Sequence, residues 1–384
     1  MGQRLSLAWK QLVFERMKLA TAIAGVMVAV MLMWVQLGIL AALYDSATTV
    51  HRSLHADLVV LSPLSETLNQ IKPFSVRTLY RVRGHADVTA VGELLVGPVQ
   101  WRNPEDGEQN QIQCYGIDPE AGWLRLPGVA EYARKLREDD TFLFDQRSRN
   151  VFGPVVAAVQ AGRKFEVEVN QRKARAVGLT KVAASFGQQG NILTNRANFL
   201  RTHPGHPPEQ VHLGLVRLAP GANVQGVKAS LQRELAPEAL VMTLAEFTEL
   251  ELRFWKSNAP VGFVFTMGTI VGFFIGFIVV YQILYTDVTN HLPHYATMKA
   301  IGFADGLVLR LVVRQGLILA ILGYIPGSLL AIAFYQVVQW GTSIVVTPTW
   351  ERAWWLLGLT CLMCLMSGAM ATRKLRSADP ADVV

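Results

Sequence analysis

The sequence predicts an α-helical membrane protein of four transmembrane helices, with a large mixed α/β domain inserted between helices 1 and 2. Three observations carry this prediction. Four apolar runs, Leu19–Leu43, Pro260–Tyr285, Leu311–Val338 and Ala353–Thr372, are each long enough to cross a bilayer, which takes about 20 residues. They are unevenly spaced: one run, then the mostly polar stretch 44–259, then three runs crowded into the last third. Charged residues make up only 17% of the chain, against about 25% in soluble proteins, and the apolar runs account for the deficit.

The placement of charge sets an orientation. Arg4, Lys10, Arg16 and Lys18 precede the first run, Arg373, Lys374 and Arg376 follow the last, and Lys299 and Arg310 lie between the second and third, with Arg314 just beyond. The loop between the third and fourth has Arg352 beside Glu351. Lys and Arg concentrate on the cytoplasmic side, so both termini and the 286–310 loop are expected in the cytoplasm and 44–259 outside it. The net charge of +7 therefore reads as topology, with no nucleic-acid partner. The first run is longer than a signal-peptide core, and Ala42-Leu43-Tyr44-Asp45-Ser46 is a poor cleavage site; a retained anchor is expected.

The expected order is a cytoplasmic amphipathic helix at 1–18, transmembrane helix 1 at 19–43, a periplasmic α/β domain at 44–259, helix 2 at 260–285, a cytoplasmic coupling loop at 286–310, helices 3 and 4 at 311–338 and 353–372, and a cytoplasmic tail at 373–384. At the N-terminus Leu5, Ala8, Trp9, Leu12 and Val13 share a helical face, as in helices that lie on a membrane surface. In the α/β domain, strands are expected at 57–61, 93–101, 111–117, 164–169, 174–179, 212–218 and 240–243, with a hairpin turn at Asn170-Gln171. Helices are expected at 129–137, 224–235 and 244–258. The last leads to Pro260 and reads as a rigid stalk.

Chemistry is sparse. There is no G-x-x-x-x-G-K-[ST] loop, no H-E-x-x-H pair and no G-x-S-x-G elbow, so no catalytic, cofactor-binding or metal-ligating residue is assigned. Cys114 is alone in the polar stretch, which excludes a disulfide within it, and Cys361 and Cys364 read as small packing residues. His51 and His55 are read as a solvated helical face, and His203 and His206 as incidental residues of a Pro/Gly loop. Gly268, Gly272 and Gly276 repeat at every fourth position. Such a stripe lets two helix backbones approach closely, either across a dimer or within one chain. Gly323 and Gly327 flank Pro326, where a kink is expected. No acidic or histidine relay crosses the apolar runs. Energy is therefore expected from a separate cytoplasmic partner, for which the loop around 293–302 is the docking point. Pro293 is placed to start a short helix and Gly302 to end it, with Tyr295, Met298 and Ile301 on one stripe. A helix resting in lipid headgroups is the other reading.

The stretch Tyr295-Ala-Thr-Met-Lys-Ala-Ile-Gly-Phe303, the segment Val216-Arg-Leu-Ala-Pro-Gly221 before a helix, the ending Asp379-Pro-Ala-Asp-Val383 and the one-plus-three layout resemble the FtsX-like permease family, which includes MacB-type ABC exporters. Gln36-Leu37-Gly38 with Ala42–Ser46, Leu54–Pro63 and Phe74–Tyr80 resemble a branch of that family serving glycolipid export. The resemblance implies a MacB/FtsX-like architecture and a homodimer in the bacterial inner membrane. It implies two copies of an ABC ATPase that bind ATP and Mg, docked through His294, Tyr295, Thr297, Met298, Lys299, Ile301 and Gly302. It further implies a periplasmic adaptor (a membrane fusion protein) and a TolC-like outer-membrane channel. The chain itself would hold no cofactor and be no enzyme. A signalling scaffold of the same fold, which activates an external hydrolase and moves no substrate, is the alternative.

Overall fold

The computed structural model describes residues 16–182, 188–257, 260–290, 306–342 and 345–377. Most of the expected amphipathic helix at 1–18, the coupling residues His294 to Gly302 and the end of the tail lie outside the described residues. The chain forms two compact units: 1–41, 260–340 and 346–384 make one, and 42–259 with 341–345 the other.

The first unit is helical. Helix α1 (Arg16–Ser53) runs ten residues beyond the apolar stretch, so that its tail belongs to the second unit. The remaining helices of this unit lie near the C-terminus, and the polar segment before them folds separately.

In the second unit the elements are β1 (Leu58–Leu61), β2 (Phe74–Ser75), α2 (Val76–Arg83), β3 (Val88–Arg102), β4 (Gln109–Ile117), β5 (Thr141–Asp145), α3 (Val155–Gln160), β6 (Phe165–Val169), β7 (Arg172–Thr180), β8 (Asn191–Thr194), α4 (Arg196–Thr202), β9 (Gln210–Val211), β10 (Leu213–Leu218), α5 (Val224–Leu235), β11 (Leu240–Thr243) and α6 (Leu244–Ser257). Then α7 (Pro260–Asn290), α8 (Gly306–Thr342) and α9 (Trp350–Ser377) return to the first unit. Together with α1, these are four helices long and apolar enough to cross a membrane.

The main sheet has the order β11-β1-β10-β3-β4-β8-β5-β7-β6, and β6 also pairs with β3. Two lobes follow. In the first, β1-α2-β3 and β10-α5-β11 interleave into an antiparallel sheet ordered β11-β1-β10-β3, the split β-α-β arrangement of ferredoxin-like folds. In the second, β3-β4-β8-β5-β7-β6 curl until Trp101 and Arg102 of β3 meet Val169 and Glu168 of β6, which closes a ring and removes two exposed edges. Strand β3 serves both lobes: Val88–Leu94 pairs with β10, and Leu94–Arg102 with β4.

Local chemistry explains several boundaries. Asn170 and Gln171 take left-handed φ of 45° and 63°, as a two-residue hairpin turn requires. Asn195 Oδ1 accepts from the Asn198 N–H at 2.7 Å and starts α4. At α6, Thr243 Oγ1 accepts from Glu246 N–H while Glu246 Oε2 accepts from Thr243 N–H, a reciprocal capping box. The segment 129–137 is not the helix the sequence predicts: it is a series of turns ending in a short 3₁₀ helix at Lys135–Arg137. Gly128 (φ 83°) sits against the Leu179 carbonyl there, and this approach sets the chain turning.

Two cores cover the faces of the sheet. One centres on Trp101, whose ring lies 5.5–5.7 Å from Phe142, Phe144 and Phe152 and whose Nε1 donates to the Phe152 carbonyl at 3.1 Å. The other takes in Val50 from α1, Leu54 just after it and Phe247 from α6. Trp101→Ala is expected to remove about 3–5 kcal/mol of stability from the full-length protein in detergent, measured by denaturant unfolding of the α/β unit.

Candidate functional site

The glycine stripe of α7 faces α1 of the same chain. A Cβ on Gly268 would lie 2.5 Å from Gln36, on Gly272 3.3 Å from Leu32 and Met33, and on Gly276 2.7 Å from Ala29, with Met363 of α9 also in contact. Helix α8 approaches α1 in the same manner. Cβ atoms on Gly323 and Gly327 would fall 2.5 Å from Val26 and 2.8 Å from the Met27 carbonyl. The α1–α8 seam is then tied by polar groups: Trp34 Nε1 donates to Ser328 Oγ at 2.9 Å, and the Tyr335 hydroxyl donates to the Trp34 carbonyl at 2.5 Å. Gly38 leaves room for that tyrosine ring. Ser367 of α9 donates to the Phe277 carbonyl of α7 at 2.9 Å. In an apolar medium helices gain no hydrophobic association, so close packing and such hydrogen bonds hold the bundle. Trp340, Trp350, Trp354 and Trp355 are all exposed around the α8–α9 connection, where aromatic residues mark a membrane–water interface.

In the second unit the structure assembles groups that sequence reading left apart. His51 is fully buried, not on a solvated face: its ring lies 4.4 Å from Phe247, and its Nε2 is 3.5 Å from Glu251 Oε2. Neither ring nitrogen has a hydrogen-bond partner, a cost of about 1–3 kcal/mol per orphaned group. Glu251 is 2% exposed; its Oε2 accepts from the Leu68 N–H at 2.8 Å and its Oε1 from Trp255 Nε1 at 3.0 Å. Burial raises the Glu251 carboxyl above its ordinary value, and these two donors pull it back only in part.

His203 and His206 belong to a packed layer of rings. The His203 ring stacks on Phe199 at 4.0 Å, and the His206 ring stacks on His212 at 4.8 Å. Gly97 and Gly116 make room for this layer on β3 and β4. His212 Nδ1 accepts from the Val96 N–H at 3.2 Å, so the ring must be neutral at that nitrogen. Burial first, then the neighbouring His206 and His203, pushes its pKa down to about 4. Cys114 is free and buried, and burial pushes its thiol up, leaving it unreactive. Among the described residues no group of three or more His, Cys, Asp or Glu is arranged to hold a metal.

A cleft of about 660 Å³ opens between α2, β3 and the Asp118–Trp123 loop. Two of the arginines that line it, Arg196 and Arg217, are engaged within the protein. Arg196 Nε lies 2.5 Å from Glu93, and Arg217 stacks 4.0 Å over Trp123 while donating to the His55, Ala121 and Gly122 carbonyls.

Residues 264–380 match the family model for the FtsX-like permease C-terminal domain. No curated protein matches the chain. Among solved structures, the periplasmic region of MacB from Actinobacillus actinomycetemcomitans is 11% identical with a TM-score of 0.37, over 52% of this chain and 94% of that one. The extracellular domain of the noncanonic ABC-type transporter YknZ from Gram-positive bacteria is 14% identical with a TM-score of 0.33, over 49% and 100%. A domain of a permease protein from Porphyromonas gingivalis is 13% identical with a TM-score of 0.30, over 50% and 89%. At these TM-scores the structural likenesses carry no functional inference.

Two outcomes are expected. Gly272→Leu overpacks the α1–α7 seam at a cost of about 1–3 kcal/mol. The melting temperature of the detergent-solubilised protein then falls by the same amount at tenfold different protein concentrations, whereas a concentration-dependent fall would assign the stripe to a dimer. His212 has a depressed pKa, so its contribution is present above pH 6.5 and is lost as pH falls towards about 4. The loss is at most about 3 kcal/mol. His212→Gln should flatten the melting temperature between pH 7 and pH 4.5 relative to the unsubstituted protein.

Proposed function

We propose that this chain is the membrane subunit of an ABC system of the FtsX-like, MacB-type class, and that it couples ATP hydrolysis by a separate ATPase to movement of its α/β domain. The match of residues 264–380 to the FtsX-like permease C-terminal family is the observation that carries the reading. Three further features support it. Among the described residues, four helices are long and apolar enough to span a membrane. The α/β unit lies in the chain between the first of them and the other three. The sequence has no phosphate-binding loop of its own. ATP and Mg would then be held by the partner.

In this reading the protein sits in the bacterial inner membrane with both termini in the cytoplasm, and two copies form a homodimer. The ATPase docks on the loop 286–310 through His294, Tyr295, Thr297, Met298, Lys299, Ile301 and Gly302. The α/β domain outside meets a periplasmic adaptor and, through it, an outer-membrane channel. Nucleotide-driven closure of the ATPases rocks the helices, and the motion drives substrate out through the adaptor without passage between the helices. The resemblance of Gln36–Gly38, Leu54–Pro63 and Phe74–Tyr80 to DevC-type permeases points to a glycolipid or another amphiphile as cargo.

The test is at the docking loop. Met298→Asp with Ile301→Asp places two carboxylates on the apolar stripe of the coupling segment. Membrane insertion should be retained while stimulated ATP hydrolysis and ATPase pull-down are lost. Retention of both would refute the docking assignment.

A further inference from the structure

Along α6 the buried residues are Phe247 and Glu251. The first half of the helix is held by an aromatic ring in the apolar core, together with Glu246, which caps the helix and ion-pairs with Lys228 Nζ at 2.5 Å. Beyond Phe247 the partly buried Leu250 still touches that core, and the fully buried side chain is the Glu251 carboxylate, which faces three segments. It accepts from the Leu68 N–H of the β1–β2 connection and from Trp255 one turn further along α6, and it lies 3.5 Å from His51 of the α1 tail. The α1 tail itself is firmly fixed: Val50 and Leu54 lie in the core, Ser53 O accepts from the Arg125 N–H at 2.7 Å, and Leu54 bridges to Leu124.

The His51–Glu251 contact is costly for a merely structural joint. It lacks hydrogen-bond geometry, and His51 keeps two orphaned nitrogens in a site with no exposure. An apolar pair of similar volume would hold the two helices better. Among the described residues His51 alone contributes two such atoms, and a local breach of polar satisfaction calls for an explanation and is expected where a site has a functional role.

We infer that His51 and Glu251 form a latch: closed in this structure, it holds the second half of α6 against the α1 tail, and on opening it frees residues 249–257 to move about a pivot at Phe247. Opening admits water to both side chains and satisfies the nitrogens that the closed state leaves bare. α6 is the segment by which the chain leaves the α/β unit towards α7. The latch therefore decides whether that exit segment is fastened to the helix that brings the chain in.

The experiment uses the full-length protein in nanodiscs and needs neither an ATPase nor a substrate, so its failure is separate from failure of the permease reading. Spin labels replace two exposed residues, Arg52→Cys and Lys256→Cys, in a Cys361→Ser background, the other two cysteines being buried. Two distance populations are expected without further change, and Glu251→Ala should shift them to the longer one. Amide hydrogen exchange in 249–257 should rise at least about tenfold, the least that losing a buried charged hydrogen bond predicts, with β1, β10 and β11 unchanged. A single distance that Glu251→Ala leaves in place, or exchange that rises equally across the sheet, would overturn the latch and make the pair an ordinary structural contact. If Glu251→Ala does not fold, Glu251→Gln, which keeps one acceptor oxygen, is read by the same two criteria.

Discussion

Backbone proximity around α1 is the constraint on which the helical unit depends. Helix α7 reaches it through Gly268, Gly272 and Gly276, and helix α8 through Gly323 and Gly327, at separations where a Cβ would strike a side chain or, at Gly327, a backbone carbonyl. Lipid offers no hydrophobic drive for helices to associate, so these contacts are replaced by nothing if they are lost. The hydrogen bonds from Trp34 and Tyr335 then fix the axial register of α1 against α8, which small residues alone would leave free to slide. A helix fixed in this way on two sides can be displaced only along with its neighbours. The proposed coupling role would call on this property.

The same helix contributes to the other unit. Its tail beyond residue 42 is too polar to read as membrane-spanning, yet Val50, His51 and Leu54 are buried there. The α/β unit thus has one strongly anchored helix at its start and, at its end, a helix that beyond Phe247 has Glu251 as its fully buried side chain, next to the partly buried Leu250.

Much of the architecture was legible in the chain, because long apolar runs and alternating strands leave strong periodic signals. The hairpin about Asn170-Gln171 and the bounds of α5 and β11 could be read directly from turn chemistry and pattern. Strands β5 and β8 escaped, since every residue in each is buried, and a strand covered on both faces shows no alternation. Helix α2 and the short helices α3 and α4 span too few turns to build a helical period. His51 was visible but misjudged: Glu251 is 200 positions away, so spacing in sequence held no trace of their contact. The glycine stripe was evident as a packing surface, but which helix it faced was not, because a small-residue face says only that something comes close.

Strand β3 has a consequence for how the α/β unit is built. Leu94 of β3 stands opposite Leu213 of β10, so the two strands are already neighbours at the point where the closed ring begins. A tight reversal joining residue 95 to residue 212 would leave the ferredoxin-like lobe topologically whole, with the ring excised as a cassette. The second lobe is thus inserted, in chain order, between two paired strands of that sheet, and it gives something back to its host, since Leu124 and Arg125 within the insertion brace the α1 tail.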